Sequence, residues 1–531
     1  MKKRIISLLL ITAMAVTMVS GCGQKENTRK ADSSNTVSGD TGKTDTSKED
    51  AGSSKLPQVE LTILTGADQV DQPDAEKVSD AILEATKDTI NVKINVQSYA
   101  WGDYKSKVDT MLAAGQNIDI YLDFYGEYKK DADKKQIIPL DDLLEKYGPA
   151  LKENIPDIWY QDLKYNGELY GIPAVYPSVG QDCITIREDL LKKYNLPDID
   201  MNDISTVEAY LDAVVKNEPN MVGMTGREGR VNNLNTIFRQ YGKSNSEVAV
   251  VGNDYGNIVS VDGSQKPYKV YSAFETEGTK EDIAWMQKAQ AHGWIASNAL
   301  TEKDPNAVFM SGKSALMPFD MWTINSLAPT MEKNISGCKI ESVAQYDYSK
   351  PLLKTGKTNN FAVISSTSKN PERAMMFLNW ISESQDNYDL LMYGIKGTDW
   401  NPVGDTQYEL PEGVDQANLP YNPSPWWFKN QKYDRMLTTA HPAFLNIYNK
   451  AKDAQIETLD ITDFSFNQEP VKIELNQIQT VMLEKWQPVA LGILSSEEDY
   501  NKAVKALYDA GLQKVLDEAQ KQLDEWAAAR N

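Results

Sequence analysis

Histidine is nearly absent from this chain. Only His292 and His441 occur among 531 residues, too far apart to sit at metal-ligand spacing on one element. A histidine metal site or a His-dependent triad is therefore thinly supplied. There is no HExxH, no CxxC and no GxSxG, which withdraws motif support from zinc hydrolysis and serine-esterase chemistry. The string "SGKS" at 311–314 has Ala307 where a phosphate loop requires glycine. No EF-hand-like loop occurs either. Neither a cofactor nor a metal is expected, and no catalytic residue is nominated.

Positive charge is also short. Lys and Arg total 55 against 76 Asp and Glu, a net charge of −21. Such a surface argues against nucleic acid and against polybasic membrane binding. Any two acids in so acidic a chain could form a glycosidase pair, so carboxylate pairs carry no information by themselves. Of three cysteines, Cys183 and Cys338 read as buried thiols, although nothing forbids their pairing. Phenylalanine is outnumbered by Tyr and Trp taken together, 11 against 26 Tyr and 11 Trp. Tyr and Trp combine an apolar face with a polar edge, which suits ligands that are both, such as sugars.

The amino terminus reads as an export signal. Lys2, Lys3 and Arg4 precede the apolar run Ile5–Val19, which is short for a membrane span. "VSGC" then resembles the lipobox of bacterial lipoproteins, implying a diacylglyceryl thioether on Cys22 after removal of residues 1–21. Residues 22–55 hold Val37 as their one large aliphatic side chain before Leu56 and read as a disordered tether. Its end-to-end distance would be about 30 Å.

Beyond the tether, strand and helix signals alternate. Val59, Leu61 and Ile63 mark a strand; Val78, Ile82 and Ala85 a helix; Ile90, Val92, Ile94 and Val96 a second strand. Asp103 suits the cap of a helix carrying Tyr104, Val108, Met111 and Leu112, and "IDIYLD" follows as a third strand. This order predicts a parallel α/β sheet with ligands beyond its carboxyl ends. Further on come "CITIR", helices over about 184–300, and strands at "SALMPFD" and "KIESVAQY". Asn370 and Pro371 open a helix with Ala374, Phe377, Leu378 and Ile381 inside, and the chain reads as helical from about 472. In "NPSPWWF", Trp426 and Trp427 read as a loop with no assigned role.

The strings "LTILTG", "GELYGIP", "REDLLKKYNLP", "FMSGKSALMPFDMW" and "TSKNPERAMMFLNWI" resemble, in order and spacing, the extracellular solute-binding proteins of ABC importers, the large family that includes maltose-type binders. The tail resembles a C-terminal extension of one Gram-positive lipoprotein subgroup. The resemblance implies a two-lobed α/β periplasmic-binding-protein-like fold with a hinge and ligand cleft. It also implies a first lobe over 56–172 with part returning later, a second mainly over 173–400, and a mostly helical extension over 401–531. One crossing is expected at "LYGIPAV", another near 317–325 or 354–365. The implied role is a lipid-anchored monomer outside the cytoplasmic membrane that passes a ligand to a permease without altering it. The aromatic loops favour an oligosaccharide; a peptide or other polar nutrient, and a surface-anchored glycoside hydrolase, are the rivals. Because such a ligand must touch both lobes, the candidate binding residues are Asp68, Trp101, Asp123 and Tyr125 from the first, Tyr176 at the hinge, and Asp320, Trp322, Tyr393 and Trp400 from the second. Asp68 and Asp103 equally suit plain helix capping.

Overall fold

A computed structural model describes residues 56–530 apart from 68, 125–126, 227–233, 244–245, 254, 303–304, 355–357 and 417. The export signal, Cys22 and the tether, together with Asp68 and Tyr125, lie outside the described residues.

The alternating apolar positions form β1 (Val59–Ala67), and Val78 and Ile82 form the buried face of α1 (Ala75–Thr86). Strand β2 (Val92–Ala100) runs parallel to β1, from Val59 opposite Val92 to Ala67 opposite Ala100. Helix α2 (Trp101–Ala113) follows at once, earlier than a cap at Asp103 would place it. Ala100 is its N-cap, and Asp103 lies inside the first turn, where its charge suits the helix dipole. Then come β3 (Ile120–Phe124), α3 (Glu127–Asp133) and the short β4 (Ile172–Pro173).

The second lobe begins with β5 (Asp182–Arg187), followed by β6 (Val222–Met224), β7 (Ser314–Asp320), α4 (Met321–Asn334) and β8 (Ile340–Ala344). Its sheet has the order β8-β5-β7-β6. Ile184, Ile186, Leu211, Trp294 and Leu316 fill its core. Cys183 and Cys338 are both buried and free.

The chain then returns. Strand β9 (Asn360–Ile364) inserts antiparallel between β3 and β4, giving the first sheet the order β2-β1-β3-β9-β4. Helix α5 (Pro371–Ile381) opens on Pro371 and buries Ala374, Phe377, Leu378 and Ile381. Its N-cap, Asn370, makes no side-chain cap bond; the Ser368 hydroxyl accepts the Asn370 N–H instead. With α6 (Gln385–Tyr393) and the segment to Tyr433, these residues complete the first hydrophobic core. The return thus includes much of what was expected to be second lobe or extension. An apolar helix face looks the same in sequence whichever sheet covers it, so periodicity does not assign it to a lobe.

Helix α7 (Pro442–Asp453) goes back to the second lobe, where Phe444 and Ile447 pack with Ile324 and Leu327 of α4. The chain therefore crosses between lobes after Pro173, between Ala344 and Asn360, and again before Pro442. Of the two sites considered for the second crossing, 354–365 overlaps it, whereas 317–325 spans β7 and α4 inside the second lobe.

Helices α8 (Lys472–Val481), α9 (Glu497–Asp509) and α10 (Leu512–Ala528) form the tail. They cover a three-stranded sheet of Glu247–Asn253, Gly256–Asp262 and Val270–Ser272, in a span expected to be helical. Val251 and Val259 meet Ile478, Leu507, Leu512 and Val515 there. Valines spaced for a strand, with helices supplied from 200 residues later to bury them, explain the difference.

Candidate functional site

The crossings join one edge of each sheet. On the first lobe that edge carries the carboxyl ends of β1, β2 and β3, and the start of β9. Trp101, the first residue of α2, stands there with 40% of its surface exposed. Its ring lies against Gly66, where any Cβ would overlap the indole. Tyr104 meets it edge-on, centroids 6.3 Å apart, and donates its hydroxyl to the Leu122 carbonyl at 2.5 Å. One turn of α2 is thereby fixed to β3.

The same edge is lined by the returning segment. The Ser424 hydroxyl donates to the Gly66 carbonyl, and Pro425–Trp427 form a short 3₁₀ turn. That turn sends adjacent tryptophans in different directions. Trp427 is fully buried in the first core, while Trp426 stays half-buried at the junction of the lobes.

Trp322, in the first turn of α4, comes from the second lobe. Its centroid lies 6.1 Å from Tyr176 and 5.5 Å from Trp426, and Tyr176 lies 5.4 Å from Trp426. All three contacts are edge-on, a favourable arrangement for aromatic quadrupoles. Phe444 and Tyr448 of α7 back Trp322 at 5.4 and 5.8 Å. Its indole N–H donates to Gln181 Oε1 at 3.2 Å, and Asn360 donates to the Tyr176 hydroxyl at 2.8 Å. Burial, with Asp434 adding to it, pushes the Tyr448 hydroxyl up to about 12.

The nominated residues thus divide. Tyr176 and Trp322 meet, and Trp101 shares their edge through Gly66 and Ser424. Asp320 sits at the end of β7 and accepts the Thr323 N–H at 3.0 Å, capping the helix that carries Trp322. Asp123 is buried below the edge. Its Oδ1 accepts its neighbour Phe124's N–H at 2.8 Å, and Oδ2 has no hydrogen-bond partner. Burial pushes this carboxyl well up, Lys105 opposes that, and Asp131 adds to it. Tyr393 and Trp400 differ most from expectation. They belong to the returning segment of the first lobe, pack on each other at 5.2 Å, and Trp400 is only 3% exposed beneath the Arg435 guanidinium. Trp426, Lys429, Gln181 and Asn360 also line the junction, beyond the residues expected from sequence. The two prolines that precede "WW" are the available signal for Trp426, since they mark a turn rather than a core strand or helix interior. Among the described residues, no group of three or more His, Cys, Asp or Glu could hold a metal ion.

The family profile described as bacterial extracellular solute-binding protein matches residues 80–397, more than half of the chain. The chain belongs to this family. A domain of unknown function matches residues 460–528 of this solute-binding protein. A carbohydrate ABC transporter substrate-binding protein from Streptococcus pneumoniae serotype 4 is 23% identical over 478 residues, covering 86% of this chain and 89% of that protein. The crystal structure of the N-glycan transport solute binding protein NgtS from Streptococcus pneumoniae superposes with a TM-score of 0.72 at 19% identity, covering 89% of this chain and 100% of its own. The alginate-binding protein AlgQ2 superposes at 0.61 and 17% identity, covering 88% and 98%. These structural likenesses carry the fold: two α/β lobes joined by a hinge, with a cleft between them.

Proposed function

We propose that this solute-binding protein captures an oligosaccharide between its lobes and delivers it to the permease of an ABC importer. The observation that supports this best is the aromatic edge itself: Trp322 of one lobe meets Tyr176 and the half-buried Trp426 of the other, and Trp101 exposes its ring further along the same edge. Indole faces stack on the apolar faces of sugar rings, while amide and carboxylate groups beside them bond hydroxyls. Gln181 and Asn360 supply such groups at the junction. Relatives named for carbohydrate and N-glycan binding lend the same reading weight. A ligand touching both lobes favours their closure by its differential affinity for the closed form.

In this reading residues 1–21 are removed, Cys22 carries the lipid, and residues 22–55 tether the lobes to the outer face of a membrane. A tethered receptor meets its permease at a raised effective concentration. The protein performs no chemistry on its ligand. A thermal-shift screen of the mature chain against oligosaccharides, followed by chromatography of the recovered sugar, tests both parts. Stabilisation with unaltered sugar is expected. Shortened sugar would make the protein a hydrolase, and a shift with peptides alone would replace the ligand class.

A further inference from the structure

One charged group stands inside the aromatic junction. Lys429 belongs to the returning segment of the first lobe and is only 6% exposed. Its backbone is clamped to the first crossing: the Val175 N–H donates to the Lys429 carbonyl at 2.6 Å, and the Gln431 N–H to the Val175 carbonyl at 2.8 Å. Its ammonium lies 2.7 Å from Asp434 Oδ2, with both side chains over nine-tenths buried. Asp434 Oδ1 in turn accepts the Tyr388 hydroxyl at 2.5 Å.

A buried ion pair within one lobe adds little net stability over well-packed apolar side chains, so pairing alone gives no reason for a lysine here. What distinguishes this ammonium is its other neighbour. It lies 5.0 Å from the centroid of Trp322, which belongs to the second lobe. A cation at that distance from an indole is attracted by the ring quadrupole, more strongly when both are shielded from water. The contacts of Trp322 with Tyr176 and Trp426 are edge-on. Lys429 adds a directional restraint that those contacts do not supply.

We propose that Lys429 is a positioning residue of the binding site: from the first lobe it fixes the Trp322 indole of the second, and so sets the wall against which the lobes close. Asp434 keeps the ammonium aimed. The contact joins a residue of each lobe, so it favours the arrangement a bridging ligand requires. The inference rests on the junction being the saccharide site proposed above.

The test compares the full chain with Lys429→Arg, which retains a cation able to reach both Asp434 and the indole. A second variant combines Lys429→Met with Asp434→Asn, which removes the charge without stranding its partner. Both are also made with Trp322→Phe. In ligand-free protein, the combined variant is expected to alter the near-ultraviolet dichroism of the indoles, the arginine variant to keep it, and the alteration to vanish with Trp322→Phe. In titrations with mannose- and N-acetylglucosamine-containing oligosaccharides, the combined variant is expected to bind about tenfold more weakly, equivalent to about 1.4 kcal/mol. The arginine variant should stay within about threefold of the parent. Unchanged ligand-free spectra overturn the proposal whatever binds, and changed spectra with unchanged affinity overturn its role in binding. If the parent chain binds no saccharide, the saccharide reading falls, while the ligand-free spectra still decide whether Lys429 positions Trp322.

Discussion

The hydroxyl of Ser424 donates to the carbonyl of Gly66, across 358 residues of sequence. Through this bond the returning segment lies beside the carboxyl end of β1, where the Trp101 ring rests on the same glycine. Two half-exposed indoles, Trp101 and Trp426, are thereby presented along one edge of the first lobe.

Gly66→Ala tests that arrangement. The added methyl occupies the space of the Trp101 ring and must displace it. Saccharide affinity is expected to fall as far as in Trp101→Ala. Stability should fall by no more than about 1–2 kcal/mol, because a half-exposed ring has room to move. Paired titration and denaturant melts of both variants check this.

Trp101 and Trp400 should behave oppositely. Trp101→Ala removes an exposed ring and is expected to change stability by less than about 1 kcal/mol while weakening binding. Trp400→Ala empties a buried site between Tyr393 and Arg435 and should cost about 3–5 kcal/mol. Its folded fraction should keep near-parent affinity. Chemical melts and binding measured on the same samples separate the two effects.

Much of this was legible in sequence where the period of apolar residues decides the element. Val59, Leu61 and Ile63 dictate a strand, and Ala374, Phe377, Leu378 and Ile381 dictate a helix face, wherever the partner lies. The surplus of Tyr and Trp pointed to the kind of edge that Tyr176 and Trp322 help to build. The partner itself was not legible. β9, α5 and α6 return to the first sheet through contacts that no local pattern records, and local pattern alone therefore puts Tyr393 and Trp400 in the other lobe. Trp426 and Trp427 are neighbours in sequence, yet only one enters a core; the turn held by Ser424 makes that choice. The valine-rich sheet over 247–272 is buried by helices at the far end of the chain, so its burial was equally hidden.

Asp123 has a pH signature. Burial raises its carboxyl pKa in the folded state above the unfolded value of about 3.9. Stability from the neutral form is therefore fully present below that unfolded value and is lost as pH rises through the folded one. Asp123→Asn keeps a neutral side chain at every pH. It should equal the parent near pH 4 and be the more stable of the two near pH 7. Denaturant melts across that range check the sign; an asparagine variant less stable at neutral pH would contradict it.

The tail is expected to act as a structural layer of the second lobe. Leu512 is fully buried among Val251, Val259 and Ile478. Leu512→Ala should cost about 2–5 kcal/mol. Hydrogen exchange should quicken in residues 247–272 as well as in the tail itself, since each buries the other. Exchange that quickens in the tail alone would mean that it is an appended domain.

In the reading proposed above, an aromatic edge shared between the lobes captures an oligosaccharide. Isothermal titration of the mature chain with a panel of oligosaccharides, repeated with Trp101→Ala and Trp426→Ala, tests it most directly. Saturable binding of at least one member at one site per chain is expected, weakened about tenfold or more by each substitution. Binding that both tryptophan variants retain in full, or no binding across the panel, would contradict it.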